Sequence, residues 1–259
     1  MTTQPRGRLV LMPNTLDFGV PGTPPDLQDV LPLGVIRRAA SLTHWVAENA
    51  KTTRAFLKRV GEVQALVAPL QALSIVELPR PQKGSPSAAT AAPALLTALL
   101  APALEGHDIG LISEAGLPAV ADPGAALVQC AHALHIEVVA LPGPSSLLLA
   151  LAASGLNGQS FAFVGYLPVG QTERGARIRE LEALSRRAAQ TQLMIETPYR
   201  NAALLAALLS HLQATTKVSV SCGLTLAQGF TRSDSVAGWK ARPKDLPADV
   251  PVVFSLLAG

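Results

Sequence analysis

The chain of 259 residues is short of charge, of aromatics and of cysteine. Charged side chains make up 15% and hydrophobic ones 49%, against roughly 25% charged in an ordinary globular chain. That balance excludes a disordered tail protein and predicts a large buried core. The 2 cysteines, Cys130 and Cys222, stand in apolar stretches without C-x-x-C spacing, which excludes a disulfide scaffold and predicts free core thiols. No apolar run reaches the roughly 20 residues of a membrane helix. The longest uncharged stretch, 138–172, is broken by Pro142, Gly143, Pro144, Gly155, Asn157 and Gly158. The opening MTTQPRGRLVLM contains no apolar signal core, so a soluble, cytoplasmic chain with no membrane partner is expected.

Several familiar motifs are absent as well. No strand runs into G-x-G-x-x-G, so the common dinucleotide fingerprint fails. There is no G-x-x-x-x-G-K-[ST] for P-loop chemistry and no G-x-S-x-G elbow of an α/β-hydrolase. The 5 histidines lack metal-ligand spacing, and His132 and His135 read as a solvated pair near a helix end. No metal is expected.

What is present is an alternation of strand and helix patterns. Residues 7–12, 41–49, 74–78, 107–113 and 136–141 read as strands. Helices are expected from just before Val35, over 52–60 with Gly61 closing it, over 88–105 with Pro93 in its first turns, and over 124–134. Residues 13–32 are too rich in Pro and Gly for either element, and 80–86 read as a loop. After a short helix over 145–153 the pattern restarts, with strands at 161–168, 192–197, 217–225 and 251–259 and helices at 173–189 and 201–212. The simplest partition is an α/β domain over 1–141 and a second over 142–259. The net charge is only +3, but Arg37, Arg38, Lys51, Arg54, Lys58 and Arg59 face the single acid Glu48, with Arg80 and Lys83 beyond. A polyanion such as RNA suits that bias, and a solvated helix face accounts for it equally.

Small-residue loops follow the expected strands: 12–15, 113–118, 122–124, 141–146, 163–168 and 195–200. In open α/β sheets ligands lie beyond the carboxyl ends of strands, where such loops collect. Gly lets backbone approach a ligand closely, and Pro fixes loop shape.

These loops carry a resemblance. The segment from Gly110 to Pro168, with SEAGLPAVADPG, VVALPGPSSLLLALAASGL and FAFVGYLP, resembles the tetrapyrrole (corrin/porphyrin) methylase superfamily. It is most similar to its ribosomal small-subunit RNA 2′-O-methyltransferase branch, with S-D-A-G-T-P, D-P-G, P-L-P-G-P and F-x-G-F-L-P. GRLVLMPN, VAENAKTTRAFLKR, MIETPYRN and CGLTLAQGF extend the likeness over most of the chain. The resemblance implies an α/β fold of two α/β/α domains with mixed sheets, with a cofactor cleft between them holding S-adenosyl-L-methionine, and a homodimer. Carried over by motif, the cofactor contacts are Pro13, Glu114, Ala115, Gly116, Val120, Ser145, Ser146, Glu196, Thr197 and Leu224. The chain departs from the branch where Pro13-Asn14-Thr15-Leu16-Asp17 replaces T-P-I-G-N-L, and where Glu48-Asn49-Ala50-Lys51 falls in A-E-D-T-R. Glu114 replaces the usual Asp.

Methyl transfer from a sulfonium is an in-line displacement whose first requirement is alignment of donor and acceptor. A ribose hydroxyl acceptor also needs somewhere to send its proton. Glu48, Glu114 and Asp122 are the candidate proton acceptors and Arg200 a further catalytic candidate, with Lys51, Arg54 and Arg200 available for phosphate. Each has a plainer reading as loop ligand, turn residue, surface pair or helix cap. The expected function is ribose methylation of RNA in the small ribosomal subunit. A small or tetrapyrrole-like acceptor, and a cofactor-binding protein without turnover, remain as alternatives.

Overall fold

The strand-forming segments LVLM and IGLI are apolar at every position, which is the mark of strands covered on both faces. In the computed structural model, which describes residues 5–79 and 93–259, both are central strands of a parallel sheet. The chain divides into two compact units, one of Met1–Phe18 and Asp26–Pro144, the other of Gly19–Pro25 and Ser145–Gly259.

In the first unit the strands are β1 (Leu9–Met12), β2 (His44–Ala47), β3 (Ser74–Glu77), β4 (Ile109–Ile112) and β5 (Val138–Ala140). They lie in the order β3-β2-β4-β1-β5, and every pairing is parallel. The mixed sheet expected of both domains therefore belongs to the second unit alone. Alternate residues feed two cores. Val10, Met12, Trp45 and Ala47 meet helices α2 (Leu33–Ala40) and α3 (Ala50–Val63) on one face. Leu9, Val46, Ile109 and Leu111 meet α4 (Pro93–Leu99), α5 (Ala101–Leu104) and α6 (Ala125–Ala133) on the other. Trp45 is sealed against Gly110, where any Cβ would overlap its indole.

Three local expectations are corrected. Residues 13–32 contain one short helix, α1 (Leu27–Val30), capped by the Asp26 carboxylate, which accepts from the Gln28 N–H. Gly61 does not end α3, which runs to Val63, because its backbone does not turn to the positive φ with which a glycine closes a helix. The helix expected over 88–105 is broken at Leu100: Pro102 has no N–H to continue the ladder, so α4 stops and α5 restarts. Its first residues, the 80–86 loop, Arg80 and Lys83 lie outside the described residues.

In the second unit, β6 (Phe161–Tyr166), β7 (Thr191–Glu196), β10 (Val252–Leu257), β8 (Lys217–Cys222) and β9 (Phe230–Ser235) form a mixed sheet in that order. Only β6 and β7 run parallel. Helix α7 (Ser146–Ser154) covers one face through Leu147, Ala150 and Leu151. On the other face α8 (Gln171–Ala188), α9 (Asn201–His211) and α10 (Val236–Ala241) pack against Met194, Val220 and Phe254. Strand β9 and helix α10 were not expected. FTRSDS shows no apolar alternation because β9 is an edge strand, and α10 is marked only by its Ser235 cap and the buried Trp239. Cys130 and Cys222 are free thiols, the first half-buried and the second buried. No described helix is long and apolar enough to cross a membrane.

Candidate functional site

The connection leaving β2 runs outward to β3, and the one leaving β4 runs the other way to β5. Neighbouring strands whose connections diverge leave a crevice at their carboxyl ends, where ligands of open α/β sheets bind. Here the crevice lies where Glu48 and Ser113 emerge. Glu48 still donates its backbone N–H to Ile112 (3.0 Å), so the strand pairing fixes where its side chain starts. The Glu48 carboxylate then accepts the Glu114 N–H at 3.0 Å, and the Glu114 carboxylate accepts from the Thr52 hydroxyl at 3.3 Å. Thr52 is placed by the first turn of α3, where Asn49 caps the helix by accepting from the Lys51 and Thr52 N–H groups.

Asn14 locks the loop after β1 to the loop after β4. Its backbone N–H donates to Gly116 (2.8 Å), its amide nitrogen donates to the carbonyls of Ser113 (3.0 Å) and Glu114 (3.1 Å), and its amide oxygen accepts from Thr15. The third loop closes on the same place: at Gly143 any Cβ would overlap the Pro13 ring. The buried Ser113 hydroxyl has no hydrogen-bond partner among the described residues. Between Gly116 and Gly124, both at positive φ, Ala119 (φ 66°) and Ala121 (φ 62°) are also left-handed. They present Val120 outward, 45% exposed. Two strained alanines within three residues persist only where the surroundings over-determine them, as at ligand loops.

Asp122 follows that strained turn. Burial raises its carboxyl pKa, and the negative charges of Glu48 and Glu114 raise it further, to about 7. One carboxyl of this group therefore exchanges its proton near neutral pH, which suits a general base.

In the second unit the Glu196 carboxylate is buried at the end of β7. It accepts from the Thr197 N–H (2.7 Å) and hydroxyl (3.2 Å) and pairs with Arg200 at 2.6 Å. Arg200 also donates to the Thr197 hydroxyl at 3.1 Å. Glu196, Thr197 and Arg200 thus form one cluster, with the guanidinium turned onto the carboxylate. Ser145 and Ser146 open α7, and Leu224 packs on the small core that α7 makes with Leu193 and Val253.

Among the described residues, the basic run of the sequence is divided between different partners. Arg38 joins Arg8 on Asp108 at the amino end of β4, while Lys51 and Arg54 stand exposed on α3. Arg59, on the same helix, donates to Thr15 (3.3 Å) and pairs with Asp17 (3.1 Å). Thr52 was not singled out from sequence; Asn14, Asp17 and Ser113 were read only as members of segments after strands and Arg59 only as part of the basic run, none as a site residue. The further signal at Asn14 is that it is a polar residue directly after a strand-ending proline.

The model of the tetrapyrrole (corrin/porphyrin) methylases matches residues 22–234. The chain belongs to that family. Among curated relatives, a protein of Mesorhizobium japonicum named ribosomal RNA small subunit methyltransferase I is 42% identical over 139 residues, 54% of this chain and 45% of that protein. Its namesake in Escherichia coli O157:H7 is 31% identical over 181 residues, 61% of this chain and 62% of that protein. The chain thus spans about half the length of the curated relatives it matches. The methylase fold recurs in the crystal structure of the methyltransferase CobJ, with a TM-score of 0.56 at 16% identity over 98% of this chain and 95% of that one. It recurs also in a uroporphyrin III C-methyl transferase from Thermus thermophilus, at TM-score 0.54 and 15% identity over 97% of each chain.

Among the described residues, no three His, Cys, Asp or Glu side chains are grouped to hold a metal.

Proposed function

We propose that this methylase is an S-adenosyl-L-methionine-dependent enzyme that methylates a ribose 2′-oxygen in the RNA of the small ribosomal subunit. The observation that carries the reading is the carboxyl end of the first sheet, where Glu48, Glu114 and the near-neutral carboxyl of Asp122 gather. S-adenosylmethionine is a sulfonium and an ammonium joined to a polar nucleoside, and the residues present fit it. Carboxylates match its positive charges, the unpartnered Ser113 hydroxyl offers a buried polar contact, and Pro13, Ala115, Gly116 and Val120 offer backbone at close approach. In the second unit, taken by itself, Ser145, Ser146, Glu196, Thr197 and Leu224 are the candidate cofactor contacts, with Arg200 fixing the Glu196 carboxylate.

When bound, the cofactor supplies an electrophilic methyl group for in-line displacement. Asp122 takes the proton that the acceptor hydroxyl gives up, and burial, reinforced by the charges of Glu48 and Glu114, makes it basic enough to do so near pH 7. The backbone bonds from Asn14 and to Glu48 hold the loop rigid, so alignment is set before the acceptor arrives. Lys51 and Arg54, exposed beside the site on α3, meet the RNA phosphates. A ribosomal substrate also implies work in the cytoplasm. Self-association fits edge strand β6, which leaves Phe161, Phe163 and Tyr166 exposed.

The test is transfer of labelled methyl to small ribosomal subunits from cells lacking the protein, followed by digestion of the RNA. Label in one 2′-O-methyl nucleoside is the expected result. Cofactor binding with no label in RNA would reject the RNA reading and favour a small acceptor.

A further inference from the structure

The first unit carries a cavity of about 140 Å³ beside the carboxylate cluster. One wall is the turn after β1, with Thr15, Asp17 and Phe18; the other is α3, with Thr52 and Arg59; Glu114 closes one side. The walls are not interchangeable surface. The Asp17 side chain is 11% exposed and that of Arg59 24%, and they are locked together at 3.1 Å, so a fixed acceptor and a fixed donor stand side by side. Arg59 is further tied to Thr15, and Thr52 to Glu114, which orients the polar groups on both walls. Phe18 stands at the cavity with 46% of its surface exposed, one of only 6 phenylalanines in a chain poor in aromatics.

A small cavity with donors and acceptors on its walls and two phenylalanines in its lining, exposed Phe18 and buried Phe56, selects a flat heterocycle with a polar edge. In RNA recognition such a group is an unstacked base, held by stacking on an aromatic side chain and by hydrogen bonds along its edge. We propose that this cavity receives one nucleobase extruded from the RNA strand, stacked on Phe18 and held at its edge by Asp17 and Arg59. By doing so it determines which nucleotide presents its ribose to Asp122. The inference rests on the RNA reading above. It assigns a specificity role to Asp17, in the segment after β1 that departs from the branch pattern, and to Phe18 and Arg59 beside it.

Phe18→Ala removes an exposed ring and leaves the fold intact. With small ribosomal subunits from cells lacking the protein as substrate, it should lower kcat/KM by roughly 10- to 100-fold, mainly through KM. Phe18→Tyr should restore most of the loss, and Arg59→Lys, which keeps the charge but loses the planar fork, should also raise KM. Binding of S-adenosylhomocysteine, measured by calorimetry, should change less than about twofold in all three. Loss of that binding in Phe18→Ala would overturn the proposal by placing the cofactor in the cavity. Unchanged kcat/KM in both Phe18→Ala and Arg59→Lys would overturn it while leaving the RNA reading intact. A wild-type protein that labels no RNA fails at the earlier reading, before any variant is compared.

Discussion

Two aspartates of the first unit, at opposite ends of its sheet, show how one side chain is given two chemistries. Asp108 precedes β4 and Asp122 lies in the loop beyond it, and burial alone would raise the pKa of both. At Asp108 burial is outweighed by hydrogen bonds from Arg8 and Arg38, and the carboxyl is held down at about 2. At Asp122 burial is reinforced by Glu48 and Glu114, and the carboxyl is pushed up to about 7. Neighbours of opposite sign make a permanently ionised structural tie; neighbours of like sign make a proton acceptor. The amino end of the sheet is thereby built for stability and the carboxyl end for chemistry, as the crevice rule for open sheets leads one to expect.

The comparison is broken most severely by Asp122→Asn. Removing a general base should cut methyl transfer at pH 8 by at least about 100-fold, whereas Asp108→Asn should leave the rate unchanged. Stability should respond in the opposite pattern. The lowered pKa of Asp108 contributes stability that is present above about pH 4 and lost as pH falls toward 2. Asp108→Asn should therefore cost about 1–3 kcal/mol at pH 7 by urea unfolding, and much less at about pH 2. The raised pKa of Asp122 contributes stability that is present at low pH and lost as pH rises through about 7. Asp122→Asn should then be more stable than the wild type at pH 8 by about 1–2 kcal/mol, discounted because the carboxyl is partly open to water, and no more stable at pH 4. A smaller effect sharpens the cause: Glu48→Gln removes one like charge and should move the Asp122 titration to lower pH, read as an acid shift of the rate profile. The smallest concerns the strained turn, where Ala121→Gly should gain roughly 0.5 kcal/mol and Ala121→Val lose about 1 kcal/mol or more.

Much of this was legible in the sequence. The central strands announce themselves as uninterrupted apolar runs, and α3 by its spacing of Phe56, Leu57 and Val60. Glu114 and Asp122 were legible as polar residues in small-residue loops after strands, whereas Glu48, a candidate proton acceptor, was read inside the strand expected over 41–49. Three kinds of feature were not. Edge strand β9 has no apolar period to read, and α10 is only 6 residues long. The break at Leu100 depended on weighing Pro102 above an Ala/Leu-rich pattern. Most telling, the bonds that organise the site join distant residues. Asn14 meets Ser113 across 99 positions, Thr52 meets Glu114 across 62, and Arg59 meets Asp17 across 42. Such pairings follow from strand order and register, which local pattern does not contain.

The most direct test of the account is the pH dependence of kcat/KM for methyl transfer, measured with cofactor and small subunits well below saturation so that the rate reports ionisation of the free protein. With Asp122 as proton acceptor the rate should rise about tenfold per pH unit below roughly 7 and level off above it, and the rise should vanish in Asp122→Asn. A wild-type rate already level from pH 5 upward would contradict the assignment, because the acceptor proton would then be leaving without help from that carboxyl.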